Sequence, residues 1–342
     1  MRAVVFHRHG DIDVLTEAEL PDPLPRAGEV VVEVKACALN RLDLWVRLGW
    51  KGLKLPLPHT LGSDVAGTVR ALGAEVDDLQ VGEEVVLGPG VGCGRCRSCL
   101  SGQDNRCAQY KILGETTTGG YAEQIVVPRR NVFKKPPNLS FAEAACLPLV
   151  FTTAWGMLVE RVRVKAGDLV LVQAAGSGVG SAAIQVAKRF GATVIATAST
   201  DAKLERARAL GADHLINYAA EDFSARVFAI TEKRGVDIVF EHTGGDTFDK
   251  SLRSLAIGGT LITCGGTTRP VVEMDLRRMF ARHLSVVGHT MGSLAAMSSI
   301  LAEASAGHFR PILDRVLPLA EARQAQQVLL DRAQFGKVVL EP

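Results

Sequence analysis

The chain has 342 residues, 47% hydrophobic and 22% charged, with 39 Lys and Arg against 37 Asp and Glu. That is enough apolar material for a large core and two domains, and it excludes a disordered chain. A formal net charge of +2 with no basic block excludes nucleic-acid backbone binding as the main function, and apolar runs broken by Gly, Pro or charge exclude a membrane-spanning helix. The opening MRAVVFHRHG has no signal-peptide core, so a cytoplasmic location is expected.

The first half predicts short strands at Glu29 to Val34, Asp64 to Val69 and Glu83 to Leu87, separated by Gly and Pro. From Phe151 the pattern changes. Asp168 to Ala174 is an apolar run of strand length, and Val179 to Phe190 carries Val179, Ala182, Ala183, Val186, Ala187 and Phe190 on one helical stripe. Thr193 to Thr197, His214 to Asn217, Val236 to Glu241 and Thr260 to Cys264 are further strands, with a helix at Asp201 to Leu210. Strands without polar alternation suit a parallel sheet covered on both faces, so residues 151–289 are expected to form a doubly wound α/β domain. Helices over Met297 to Ala306 and Ala320 to Leu330, and a strand over Gly336 to Leu340, return the tail 290–342 to the domain begun by 1–150.

Seven cysteines, an odd number, argue against a disulfide framework. Cys37, Cys146 and Cys264 sit singly in apolar surroundings and read as buried thiols. Cys93, Cys96, Cys99 and Cys107 are spaced C-x2-C-x2-C-x7-C within a lobe at 91–107. Four thiolates so spaced can close a tetrahedral zinc shell, which makes the site structural. The seven-residue gap and the following Ala108 differ from the three-residue gap and proline of a bacterial iron–sulfur run.

VQAAGSGVGS at Val172 to Ser181 follows a predicted strand and opens a predicted helix, as a dinucleotide-binding turn does, although the strict G-x-G-x-x-G fails. Gly176, Ser177, Gly178, Val179 and Gly180 are the candidate pyrophosphate cradle. NAD binders place an acid at the tip of the next strand to hold the ribose diol. Here Ser199 and Thr200 stand there, with Lys203 shortly after and Tyr218 at the end of the following strand. Removing the carboxylate and adding an ammonium favours a 2′-phosphate, so NADP is expected over NAD. Gly244 and Gly265 follow predicted strands at their carboxyl ends, where dinucleotides bind. His242 and His289 read as structural histidines.

These motifs, with LGSDVAGTV at Leu61 to Val69 and the order of domains, resemble the medium-chain dehydrogenase/reductase family, the zinc alcohol dehydrogenase and quinone oxidoreductase group. The resemblance covers essentially the whole chain. It implies a GroES-like β-rich catalytic domain, a Rossmann domain, a nicotinamide cofactor and a homodimer or homotetramer. Zinc-dependent members carry a ligand Cys where this chain has Asn40, a Gly-His-Glu where it has Gly62-Ser63-Asp64, and a third ligand at or near Leu149. The catalytic metal is therefore expected to be lost while one structural zinc is kept. A zinc site rebuilt from Cys37, His59, Asp43 and Asp64 is the alternative. In that comparison VKACALNRLD is one strand, which would turn Cys37 and Asn40 to opposite faces.

Without the metal, an acceptor that spreads charge as an enolate is expected: a quinone or an α,β-unsaturated carbonyl. Asn40 and Ser63 are the candidate hydrogen-bond donors, and the family places Thr153 beside the nicotinamide. Asp43 is expected to relay a proton or hold Arg41, Asp64 to anchor Arg41 or a loop backbone, and Lys337 to close on the substrate domain. Trp45 and Trp50 mark a candidate apolar pocket wall. The alternatives are an NAD(P)-dependent alcohol dehydrogenase with a remodelled site, acting on an alcohol, and a nucleotide-binding sensor without turnover.

Overall fold

A computed structural model describes all residues, 1–342. The chain folds into two compact units, Met1–Leu149 with Ser293–Pro342, and Val150–Gly292.

The first unit is built on a seven-stranded sheet. Its centre is the long strand Glu29–Ala38, whose EVVVEVKACA run is fully covered at Val30, Val32, Ala36, Cys37 and Ala38. It pairs antiparallel with Asp64–Leu72, with Gln124–Pro128 and with the last strand, Lys337–Glu341. Two pairings set up the site: Ala38 lies opposite both Asp64 and Val339. Three strand ends, far apart in sequence, are thus brought together by backbone register alone. The strand ends at Ala38, and Asn40 caps the helix Arg41–Leu48. The expected continuous strand through Asn40 is corrected, and with it the argument that Cys37 and Asn40 face opposite ways. The helix forms because Asp43, at its third position, reaches back to the Asn40 N–H at 2.7 Å.

The second unit carries a six-stranded parallel sheet of Leu169–Val172, Thr193–Ala198, His214–Asn217, Val236–Glu241, Leu255–Thr263 and Ser285–Gly288. Numbered along the chain, the strands lie in the order 3-2-1-4-5-6. This is the Rossmann arrangement, whose strand order reverses at the first strand, and ligands bind outside the carboxyl ends there. Leu171, Ile195, Ile216, Val239 and Leu261 fill its core. The expected α/β class, with a β-rich unit and a doubly wound unit, is what the chain adopts. No helix is long and apolar enough to cross a membrane.

Candidate active site

In the first unit Asn40, Asp64 and Lys337 form one buried cluster. Lys337 Nζ donates to Asn40 Oδ1 at 2.6 Å and to Asp64 Oδ2 at 2.7 Å, and Asn40 Nδ2 donates to the same Asp64 oxygen at 2.9 Å. The Lys337 and Asp64 side chains are only 3% and 0% exposed. The other Asp64 oxygen accepts the Leu149 N–H at 2.7 Å. The three positions where zinc-dependent relatives would place ligands thus present an amide, a hydroxyl and a backbone N–H. A lysine ammonium sits against the amide and the neighbouring carboxylate. An ammonium repels a divalent cation, and neither an asparagine amide nor a serine hydroxyl is a good zinc ligand. These residues do not fit a catalytic zinc. Ser63 is fully buried and its hydroxyl has no partner.

Of the two roles expected for Asp43, holding Arg41 is not what the structure shows. Its two oxygens accept the N–H groups of Asn40, at 2.7 Å, and of Gly62, at 3.0 Å. It clamps the turn carrying Asn40 to the turn carrying Ser63 and does not touch Arg41, which donates to Leu329 O. Burial raises its carboxyl to about 6 against the pull of those hydrogen bonds. Asp64 likewise holds Lys337 rather than Arg41. Gly62 has φ +99°, and a Cβ there would meet Cys37 Sγ and the Tyr121 ring at 2.6 Å, so the clamp needs glycine at this turn. His59 pairs with Phe6 across two short strands and is bonded to Gly114 O at 3.2 Å. Apart from the four clustered cysteines, no three His, Cys, Asp or Glu residues converge, so the rebuilt zinc site from Cys37, His59, Asp43 and Asp64 is not formed.

The Sγ atoms of Cys93, Cys96, Cys99 and Cys107 all lie within 4.8 Å of one another, with Cys93–Cys99 at 3.9 Å and Cys96–Cys99 at 3.6 Å. A tetrahedron of thiolates at zinc has edges of about 3.8 Å. The quartet fits that metal. Without a metal the thiols share their protons: backbone N–H groups of Arg95 and Cys96 draw the Cys93 thiol down to about 6, while burial and its neighbouring thiols push Cys99 up to about 11.

In the second unit the turn between Val172 and the helix Gly178–Arg189 has its expected place. Ser177 caps that helix, its Oγ accepting the Gly180 N–H at 2.9 Å. A Cβ on Gly180 would meet Ala174 O at 2.5 Å, so helix and strand pack as closely as a dinucleotide turn requires. The cradle fits a pyrophosphate. Gly176, Gly178 and Val179 lie on the same turn, and Gly244 and Gly265 follow the fourth and fifth strands of the sheet. Thr200 caps the helix Asp201–Ala209 by accepting the Lys203 N–H. Asp201 is tied to Asn217 Nδ2 at 2.8 Å. Ser199 is half-buried, and Tyr218, 38% exposed, is held to Ala198 O through its backbone N–H. Thr153 is buried, with Oγ1 4.0 Å from Met291 Sδ.

Sequence reasoning missed Glu241. It is fully buried and accepts from Thr243 N at 2.6 Å, Gly244 N at 3.1 Å, Thr247 Oγ1 at 2.9 Å and Ser251 Oγ at 2.7 Å. Its one signal was an acid closing the apolar run VDIVFE at a strand's carboxyl end.

Residues 26–137 match the alcohol dehydrogenase GroES-like domain and residues 178–306 the zinc-binding dehydrogenase domain. A zinc-type alcohol dehydrogenase-like protein of Schizosaccharomyces pombe is 34% identical, over 100% of this chain and 99% of its own length. The quinone oxidoreductase of Homo sapiens is 27% identical over 99% of this chain and 97% of its own. A crystal structure of an NAD-dependent alcohol dehydrogenase superposes with a TM-score of 0.96 at 47% identity, covering 100% of both chains.

Proposed function

Taking as premise that the chain belongs to the medium-chain dehydrogenase/reductase family of NAD(P)-dependent oxidoreductases, we propose that it reduces a quinone or an α,β-unsaturated carbonyl with NADPH. One structural zinc is held in the four-cysteine lobe and no catalytic zinc takes part. The observation that carries this reading is that Asn40, Ser63 and Leu149 stand at the expected ligand positions, with the Lys337 ammonium bonded to Asn40 and to the neighbouring Asp64 carboxylate.

When bound, the nicotinamide supplies hydride. The protein's task is to orient the partners and hold the charge that develops on the substrate oxygen. An enolate or a hydroquinone anion spreads that charge over several atoms, so neutral donors suffice where an alkoxide would require a metal. Asn40 donates its amide to Asp64 Oδ2 at 2.9 Å and, more weakly, to Ala38 O at 3.5 Å, so the unpartnered Ser63 hydroxyl is the uncommitted donor of this cluster, and the long Asn40 bond is the one a substrate oxygen would replace. Lys337 holds the Asn40 amide oxygen and so fixes which way the N–H groups point. Thr153 is assigned to the nicotinamide side.

The preference for NADPH rests on Ser199 and Thr200 in place of a strand-tip acid, on Asp201 being engaged by Asn217, and on Lys203 in the first turn of the following helix. A second reading, an alcohol dehydrogenase acting through a metal-free proton relay, is favoured by the 47% identity to a protein of that name. Initial rates separate the two. The proposal expects NADPH-dependent reduction of a quinone or enone that is insensitive to chelator, with simple alcohols inert. Steady oxidation of a primary or secondary alcohol, with quinones and enones inert, overturns it.

A further inference from the structure

The last strand residue before the fourth crossover, Glu241, and the next residue, His242, diverge in what they bind. Glu241 takes the turn after the strand and the helix Phe248–Arg253 through Thr243 N, Gly244 N and Ser251 Oγ. His242 instead reaches the neighbouring first strand. Its Nε2 lies 3.0 Å from Gln173 O and 3.3 Å from Ser177 Oγ. The residue is buried, its ring sits edge-on to Phe240, and its backbone carbonyl accepts from Thr267 Oγ1 at 3.0 Å. Strand, turn and ring are all fixed, so the imidazole is a rigid probe aimed at the phosphate turn.

The hydrogen-bond roles follow from the partners. A carbonyl oxygen can only accept, so Nε2 carries the proton and donates to Gln173 O, and the same N–H leans on Ser177 Oγ. Ser177 Oγ also accepts the Gly180 N–H. Both acceptor sites of the hydroxyl are then in use, and its own proton must go to an acceptor outside this set. At the reversal point of a Rossmann sheet, on the first turn of the fingerprint helix, that acceptor is a phosphate oxygen.

We propose that His242 is a positioning residue for dinucleotide binding: by donating to Ser177 Oγ it commits the serine hydroxyl proton to a pyrophosphate oxygen of the bound nicotinamide cofactor. The inference rests on the reading of the chain as a nicotinamide-dependent oxidoreductase, and on no choice between NADP and NAD.

The test is equilibrium binding of NADPH and NADH, followed by their fluorescence, in a double-mutant cycle. His242→Phe is expected to weaken binding about five- to tenfold, the scale of one ordinary net hydrogen bond. His242→Gln, which keeps a side-chain N–H donor to offer Ser177 Oγ, is expected to bind within about threefold of the parent. In a Ser177→Ala background His242→Phe should cost nothing further, because the group through which it acts is gone. An equal loss from His242→Phe in both backgrounds, or no loss in the parent background, overturns the proposal. Failure of the parent protein to bind either dinucleotide overturns the oxidoreductase reading itself, and the inference with it.

Discussion

At the scale of single residues, the site is held by two buried carboxylates with opposite duties. Asp64 balances a charge; Asp43 ties backbone. Removing Lys337 leaves Asp64 buried without its ion-pair partner, a change that costs about 3–5 kcal/mol in comparable pairs. Lys337→Met should therefore lower the calorimetric melting temperature by several degrees, and adding Asp64→Asn should recover much of the loss. Equal melting temperatures for Lys337→Met and the parent would show that the pair carries little. Asp43 predicts a pH signature. Its folded pKa of about 6 lies above the ordinary 3.8, so the native state holds the proton more tightly than the unfolded chain. The stability it contributes is fully present below about 3.8 and is lost as pH rises through 6. Asp43→Asn lacks that dependence, so the melting-temperature advantage of the parent over the variant should shrink between pH 4 and pH 7. An advantage that grows with pH would contradict the assignment.

At the scale of elements, the parallel strands were readable because each is a short, mostly apolar run rich in β-branched residues: Thr193–Ala198 and Val236–Glu241 stand within a residue of where their apolar patterns place them. The helix Arg41–Leu48 was not read, because Leu44 to Leu57 carries tryptophans that suggested a pocket wall. Its signal was the Asn-x-x-Asp spacing of a capped helix start. Leu313–Pro318 was missed since LDRVLP leaves most of its residues half-buried or exposed and so has no clean apolar pattern. Among site residues, the cysteine lobe and the glycine turn were legible from spacing, because their ligands are neighbours in sequence. The Lys337 cluster was not: its members are 273 and 297 residues apart, and only the register of three strands joins them. Cofactor choice also belongs to this scale, since it is set where a strand meets its helix. Lys203→Glu should cut kcat/KM for NADPH about tenfold while sparing NADH, by placing a carboxylate near the 2′-phosphate. Equal losses for both cofactors would move Lys203 out of the recognition site.

At the scale of the whole molecule, the second unit ends in the edge strand Ser285–Gly288, paired on one side only, with Val286 37% exposed. An unpaired strand of this kind invites a second copy of the chain. We propose that a homo-oligomer forms through this edge; Val286→Pro, which removes a ladder donor, should then shift the protein toward the monomer in light scattering. A parent that is already monomeric would refute the assembly. The chemistry proposed for the molecule turns on its metal count. Elemental mass spectrometry on protein purified without added metal should find one zinc per chain, lost in Cys96→Ser and kept in Asp64→Asn. Two zincs per chain, one of them sensitive to Asp64, would place a metal among Asn40, Ser63 and Asp64 and contradict metal-free hydride transfer.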